Sequence, residues 1–163
     1  MTSPVTSEHH ELVDDIRSSA TGRGAVVAVA ESLTGGALAQ ALARGSDAEE
    51  WFAGGVVAYR NPTKYRVLGV PEGPVVTRQA ARAMAEGVRR ITGADVAVAL
   101  TGVGGPGPEE GRGEGTVFMA VATANSTHDF AHDFEGDPEE VVRLSITHAL
   151  RHLKGALLEV VPA

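Results

Sequence analysis

The sequence contains no cysteine, and this absence excludes several kinds of chemistry. Disulfide bonds, thiol nucleophiles and cysteine-ligated zinc are all ruled out. Aromatic residues make up only 4% of the chain, so we expect a core built mainly of valine, alanine and leucine. The apolar runs are also short. Ala25–Ala30 and Val96–Leu100 have the length of a strand and cannot span a membrane.

Basic residues are too few to balance the acids, because 14 Lys and Arg stand against 21 Asp and Glu and give a net charge of -7. An acidic chain repels phosphates overall, so we expect no direct contact with nucleic acids and no membrane partner. Residues 1–15 contain no apolar signal segment, and we expect a cytoplasmic protein. We expect a disordered tail over residues 1–8 and a single domain over residues 9–163.

Apolar runs of strand length recur along the chain, at residues 25–30, 55–59, 95–100 and 116–123. Helical patterns lie around them, starting near Glu11, Leu33, Ser46, Pro62, Thr77 and Asp137. Continuous apolar runs are typical of strands that are buried on both faces. The pattern therefore predicts an α/β fold, a three-layer α/β/α sandwich with a mixed, mostly parallel sheet of about five strands.

Most of the histidines fall in the last predicted strand and the last predicted helix. Residues 127–134 alternate strictly between polar and aromatic positions, which predicts a hairpin partner at a sheet edge, with His and Phe side chains on one face. His148 and His152 are four residues apart on a helix, a spacing that two metal ligands can use. Because a third, acidic ligand is not evident and no zincin motif is present, we predict no metal site.

Three polar segments follow the first three predicted strands. They are Glu-Ser-Leu-Thr-Gly-Gly at 31–36, Tyr-Arg-Asn-Pro-Thr-Lys at 59–64 and Thr-Gly-Val-Gly-Gly-Pro-Gly at 101–107. Ligands of α/β proteins bind at the carboxyl ends of strands, so we expect these segments to share one cleft.

Ser32 and Lys64 are the candidate reactive residues of these segments. Ser32 precedes a helix, where backbone N–H groups and the helix dipole would stabilise an oxyanion, but a serine there is also typical of a simple N-cap. Lys64 lies near a helix start, where the dipole lowers the pKa of its amine. A neutral lysine can act as a base toward serine, although an exposed surface lysine is the common alternative. Tyr59 either enters the same cleft or is an ordinary strand-end residue.

Backbone and basic groups in the same segments could hold a substrate. Gly35 and Gly36 would allow a ligand to approach the backbone closely, and Arg60 could meet an anionic group. The glycine loop at 101–107 could surround a phosphate or a carboxylate with N–H groups. It is neither a Walker loop nor a dinucleotide fingerprint, and taken alone it is a weak signal.

Together the three segments resemble the C-terminal domain of the CinA (competence/damage-inducible) family, also known as nicotinamide mononucleotide (NMN) deamidases. The family pattern Ala-Glu-Ser-x-Thr-Gly-Gly is present at Ala30–Gly36. The pattern Gly-x-Val-x-Tyr-x-Asn-x-x-Lys is present at Gly55–Lys64, and Thr-Gly-Val-Gly-Gly-Pro at Thr101–Pro106. The resemblance runs from about Val26 to Leu150.

The resemblance implies hydrolysis of the amide of NMN to nicotinate mononucleotide and ammonia, with a small-molecule nucleotide as substrate and no cofactor or metal. Ser32 matches the nucleophile of the family, Lys64 its general base and Tyr59 a tyrosine beside them. We expect N–H groups of the Thr34–Gly36 turn to hold the oxyanion. The alternatives are a non-catalytic nucleotide- or phosphate-binding module, and an interaction protein associated with competence or DNA damage.

The resemblance also implies a set of substrate-binding residues: Glu31, Thr34, Gly35, Gly36, Arg60, Asn61, Thr101, Gly102, Gly104, Gly105 and Arg143. Pro138 stands where many relatives have an arginine, so Arg143 or Arg60 is expected to meet the phosphate. Larger relatives carry an additional N-terminal domain, and we expect this chain to be the stand-alone form. A homo-oligomer is expected as well, with the exposed His-Phe strand face as a candidate interface.

Overall fold

The computed structural model describes residues 3–162; residues 1 and 2 of the predicted tail lie outside this range. The helices are α1 (Ser7–Arg23), α2 (Ala37–Ala43), α3 (Ala48–Trp51), α4 (Asn61–Leu68), α5 (Arg78–Thr92) and α6 (Pro138–Leu157). The strands are β1 (Val27–Glu31), β2 (Phe52–Val57), β3 (Val96–Gly102), β4 (Thr116–Ala122) and β5 (Thr127–Asp133).

The five strands form one sheet in the order β2-β1-β3-β4-β5. Strand β1 pairs in parallel with β2 and with β3, whereas β4 is antiparallel to both β3 and β5. All strands except β4 therefore run in the same direction, and β5 lies at an edge. The predicted mixed, mostly parallel sheet is confirmed.

Residue size on the central strands differs between the two faces of the sheet. In β1, Val27 and Val29 belong to one buried cluster, while Ala28 and Ala30 belong to the other. The valine face packs against α1, α2 and α6, and the alanine face packs against α4 and α5. Because side chains alternate along a strand, a Val-Ala repeat produces one bulky face and one flat face. Helices thus cover both faces, which confirms the three-layer sandwich.

Helix α1 begins earlier than the predicted start at Glu11. Thr6 is the N-cap, and its backbone N–H donates to Nδ1 of His9 at 3.0 Å. Nε2 of the same buried His9 lies 2.7 Å from the Thr147 hydroxyl on α6. Ser7 and Glu8, which fall in the predicted tail, therefore lie in α1, because contact with α6 extends the helix beyond its apolar pattern.

The His-Phe face of β5 packs against α6 and is not the exposed surface that the sequence predicts. The ring of Phe130 stacks on His152 with the centroids 3.7 Å apart, and His132 stacks on Phe134 at 5.0 Å. These four side chains are half-buried. The layer of α6 therefore covers most of the face that was a candidate interface between copies, and His128 on the same face stays exposed.

Within residues 3–162, none of the helices combines the length and the apolar character needed to cross a membrane.

A close helix contact places α4, the helix that carries Lys64, against α5. Gly87 on α5 is buried, and a Cβ atom there would overlap the backbone carbonyl of Leu68 at the end of α4. Only glycine allows this approach, so the contact fixes where the lysine helix lies on the alanine face.

We expect Gly87→Ala to destabilise the fold by about 1–3 kcal/mol, because the added methyl group overpacks the contact between α4 and α5. Gly155→Ala on α6 is the matched control, since a Cβ atom at Gly155 meets no atom within 4 Å. Replacing this helical glycine should instead stabilise the protein by about 0.5–1 kcal/mol. Urea denaturation measures both changes, and equal effects would contradict the proposed contact.

Candidate active site

A cavity of about 410 Å³ opens at the carboxyl ends of β1 and β3. Its lining includes residues from all three polar segments predicted to meet there, namely Ser32, Tyr59, Asn61, Lys64, Thr101, Gly102, Gly104 and Gly105. Much of the remaining lining comes from Val75 and Val76, from the acidic pair Glu109 and Glu110, and from Pro138 and Val142 of α6. The strand directions thus bring distant parts of the sequence to one site.

Ser32 lies in the turn between β1 and α2 and lines the cavity with 7% of its surface exposed. The turn is tight, since the Gly35 amide donates to the Ser32 carbonyl oxygen at 3.0 Å. Gly36 adopts a φ of 103°, a conformation that favours glycine, and leads directly into α2. The Ser32 hydroxyl is therefore held on a short, well-defined segment at the carboxyl end of β1.

The carboxylate of Glu31 binds this turn and does not line the cavity. It is fully buried and accepts hydrogen bonds from the Thr34 hydroxyl at 2.6 Å, from the Gly36 amide at 3.2 Å, and from the Leu38 and Ala39 amides at 2.9 Å. The structure thus places Glu31 as an internal cap of α2, where the positive end of the helix favours an anion.

The same hydrogen bonds limit the predicted oxyanion donors. The Gly35 amide is engaged by Ser32 and the Gly36 amide by Glu31. Of the three predicted donors, only the Thr34 amide is not engaged in a hydrogen bond within residues 3–162. Thr34, Gly35 and Gly36 shape the turn behind Ser32 and do not line the cavity.

Lys64 is almost completely buried, with 2% of its surface exposed, and it lines the cavity. Helix α4 begins at Asn61, one residue before the predicted start at Pro62, and Arg60 is its N-cap. Burial lowers the pKa of the Lys64 amine, and the carboxylates of Glu109 and Glu110 oppose this by raising it. The expected direction of the pKa shift is correct, but its main cause is loss of water.

Ser32 and Lys64 face the same cavity without a direct hydrogen bond between them in the described residues. Lys64 Nζ donates to the Tyr59 carbonyl oxygen at 3.2 Å. Catalytic hydrogen bonds commonly tighten only when a substrate is bound. The arrangement provides an amine that is easily neutralised and a hydroxyl in one enclosed space.

The predicted basic contacts do not lie in the cavity. The side chain of Arg143 on α6 pairs with Glu140, with Nη2 and Oε1 2.6 Å apart, and lies 3.9 Å from Glu8 of α1. Arg60 is exposed and is not a cavity residue, whereas Tyr59 lines the cavity with 68% of its surface exposed. Arg143 is drawn toward the acidic side chains of its own helix and of α1, and only the contact with α1 depends on the fold.

Two carboxylates that the sequence motifs do not predict, Glu109 and Glu110, follow the glycine loop and line the site. Glu110 accepts hydrogen bonds from the Val75 and Val76 amides, the shortest at 2.8 Å, and the Thr101 hydroxyl donates to the Val75 carbonyl oxygen at 2.9 Å. Lys64 is the only basic residue among the described residues that line the cavity. The adjacent pair Glu109-Glu110, just after a glycine loop, is the signal in the sequence.

Comparison with known proteins identifies the family of this chain. Residues 9–157 match the CinA C-terminal domain. A CinA-like protein of Desulfotalea psychrophila is 39% identical over 143 residues, covering 84% of this chain and 35% of the relative. A CinA-like protein of Anaeromyxobacter dehalogenans is 40% identical over 153 residues, covering 90% of this chain and 38% of the relative. The chain therefore spans little more than a third of these relatives.

Solved structures are similar over almost the whole chain. A competence-damaged protein (CinA) superfamily protein from Klebsiella pneumoniae has a TM-score of 0.88 and 32% identity, covering 93% of this chain and 98% of that chain. A competence/damage inducible protein from Agrobacterium tumefaciens has a TM-score of 0.88 and 30% identity, covering 94% and 97%. These names specify no reaction. From the domain match and these relatives, we conclude that the chain belongs to the CinA C-terminal domain family.

Proposed function

We propose that this protein is an amidohydrolase that converts NMN to nicotinate mononucleotide and ammonia through Ser32 and Lys64. One observation carries the proposal: the buried amine of Lys64 and the hydroxyl of Ser32 line the same cavity in a chain of this family. A buried amine reaches its neutral form more easily than an exposed one, and a neutral amine is the form that can accept a serine proton.

The proposed reaction has two halves. Neutral Lys64 takes the proton of Ser32 as Oγ forms a bond to the carboxamide carbon, and the tetrahedral intermediate carries an oxyanion. When the C–N bond breaks, protonated Lys64 gives its proton to the departing nitrogen and ammonia leaves an ester on Ser32. Water then attacks this ester with Lys64 as base, releasing the carboxylic acid product and restoring the serine.

Among the amides of the turn, that of Thr34 is the candidate oxyanion donor, and because Thr34 does not line the cavity its N–H group would reach the oxyanion from behind Ser32. The amides of Gly35 and Gly36 already donate to the Ser32 carbonyl oxygen and to Glu31. Those bonds hold the turn rigid, so its remaining donor can be positioned before the substrate arrives. Preorganised donors of this kind stabilise charge that develops in the transition state.

The acidic lining favours a positively charged ring. In NMN the nicotinamide ring is a pyridinium cation, whereas free nicotinamide is a neutral pyridine. Glu109 and Glu110 lie in the lining and would attract the pyridinium charge at short range. The phosphate of NMN would be repelled by the same carboxylates and is therefore assigned to the open mouth of the cavity, near the exposed Tyr59.

We expect ammonia release from NMN and from nicotinamide riboside, both of which carry the pyridinium charge, and much slower release from nicotinamide.

Ser32→Ala should abolish the release of ammonia, because no nucleophile remains, while the fold persists. Ser18→Ala, at an exposed position of α1, is the matched control and should keep full activity. Full activity of Ser32→Ala would end the covalent mechanism, and no ammonia from any of the three amides would end the proposed function.

We expect Lys64→Met to be inactive and at least as stable as the natural protein. The amine has a lower pKa in the folded state than its ordinary value of 10.5, so burial of its protonated form weakens folding at every pH below the folded-state pKa. The stabilisation by methionine should shrink as the pH rises from there toward 10.5. Thermal melting at several pH values, beside the ammonia assay, tests both parts. A melting temperature well below that of the natural protein would contradict the costly burial of this amine.

Glu109→Gln should move the pH profile of hydrolysis to lower pH. The Glu109 carboxylate raises the pKa of Lys64, and its neutral replacement lets the amine lose its proton more easily. The rising limb of kcat/KM against pH, which reports the free base, would then begin earlier. Glu86→Gln at an exposed position of α5 is the control and should leave the profile in place. An unchanged profile in Glu109→Gln would remove Lys64 as the titrating base.

A further inference from the structure

Three histidines come together between the edge strand β5 and helix α6. His132 lies on β5, and His148 and His152 lie one helical turn apart on α6. Each offers a ring nitrogen, and the three nitrogen atoms lie within 4.8 Å of one another. All three side chains are half-buried, and none of them lines the candidate active site.

The spacing of these nitrogen atoms is close to that of a metal centre. Nε2 of His132 and Nε2 of His152 are 3.0 Å apart. Two nitrogen ligands of a tetrahedral zinc ion are about 3.4 Å apart, given ordinary zinc–nitrogen bond lengths. A metal ion could therefore replace the hydrogen bond between these two rings with a small outward movement, and a modest rotation of His148 would complete the set.

Aromatic neighbours hold the rings in this arrangement. Phe130 stacks on His152 at an interplanar angle of 12°, and Phe134 stacks on His132 at the same angle. The site also keeps the imidazoles neutral, which is the form that binds metals. Burial, helped by His132 and His148, lowers the pKa of His152 to about 4, and burial also lowers the pKa of both neighbours.

We propose that His132, His148 and His152 form a binding site for a divalent transition-metal ion, with zinc as the ion that it fits best. Three imidazole ligands and no carboxylate in the cluster suit zinc, copper or nickel better than magnesium or calcium. Three protein ligands leave a fourth tetrahedral position for water. The ion would connect the edge strand to the last helix.

This proposal replaces the expectation of no metal site, which relied on the apparent lack of a third ligand beside His148 and His152. The third ligand is a histidine on β5, and the hairpin of β4 and β5 brings it to α6. The proposal does not depend on the amide hydrolysis, because these residues lie outside the cavity that holds Ser32 and Lys64.

The test is calorimetric titration of zinc chloride into the chelator-treated protein prepared without a polyhistidine tag. We expect one zinc site per chain, and a melting temperature that rises by about 5–10 °C at zinc concentrations near one hundred times Kd. His148→Gln should weaken zinc binding by at least about 10-fold, since it removes one ligand. His10→Gln, at an exposed position of α1, is the matched control and should bind zinc normally.

His132→Gln is the second variant, used if His148→Gln does not fold as judged by circular dichroism. The visible spectrum of the natural protein with cobalt(II) is a further readout that needs no variant. Intense bands of a tetrahedral ion support the site, whereas weak bands of an octahedral ion overturn it. Absence of a saturable single zinc site, or equal zinc affinity in the natural protein and the folded variants, also overturns the proposal.

Discussion

The hydrogen bonds of the buried Glu31 carboxylate are the interactions on which the candidate site depends. A carboxylate without water is costly unless it is fully hydrogen-bonded, and here the Thr34 hydroxyl and three amides at the start of α2 satisfy it. The helix dipole adds to this stabilisation. The carboxylate thereby joins the end of β1 to the first turn of α2, and Ser32 has little freedom between them. The position of the Ser32 hydroxyl therefore depends on the Glu31 carboxylate, which caps α2 and does not line the cavity.

Burial of Lys64 is the opposite case, because its cost is not fully offset. The amine donates to one carbonyl oxygen, and Glu109 and Glu110, just after the glycine loop, favour its charge without forming an ion pair with it. Loss of water has the larger effect, so the pKa falls and the neutral base becomes accessible. Glycine at position 87 lets the end of α4, the helix that carries this lysine, lie close to α5. Stability and chemical reactivity are thus opposed at this one side chain.

The sequence predicts the fold and the meeting of the three polar segments because both follow from local rules. Apolar runs specify the buried strands, and parallel strands bring their carboxyl ends to one edge. Directions of individual side chains depend on which of several partners each side chain meets, near or far along the chain, and could not be predicted. Glu31 turns to α2, Arg143 turns to Glu140, and His9 extends α1 by contact with Thr147. Motif matching identifies such positions but cannot tell a ligand contact from an internal one.

Helix α6 packs on one face of the edge strand β5, and the histidine cluster lies in this contact. Apolar side chains on an open face of an edge strand would favour association with other chains, and a helix packed on that face buries them. Here α6 covers the aromatic face of β5, so the polar partners of the two phenylalanine rings must tolerate partial burial. Neutral histidines meet this requirement, since they stack like aromatic residues and still offer a nitrogen atom. Three histidines pack between β5 and α6, and their ring nitrogen atoms also form a set of ligands that a metal ion can use.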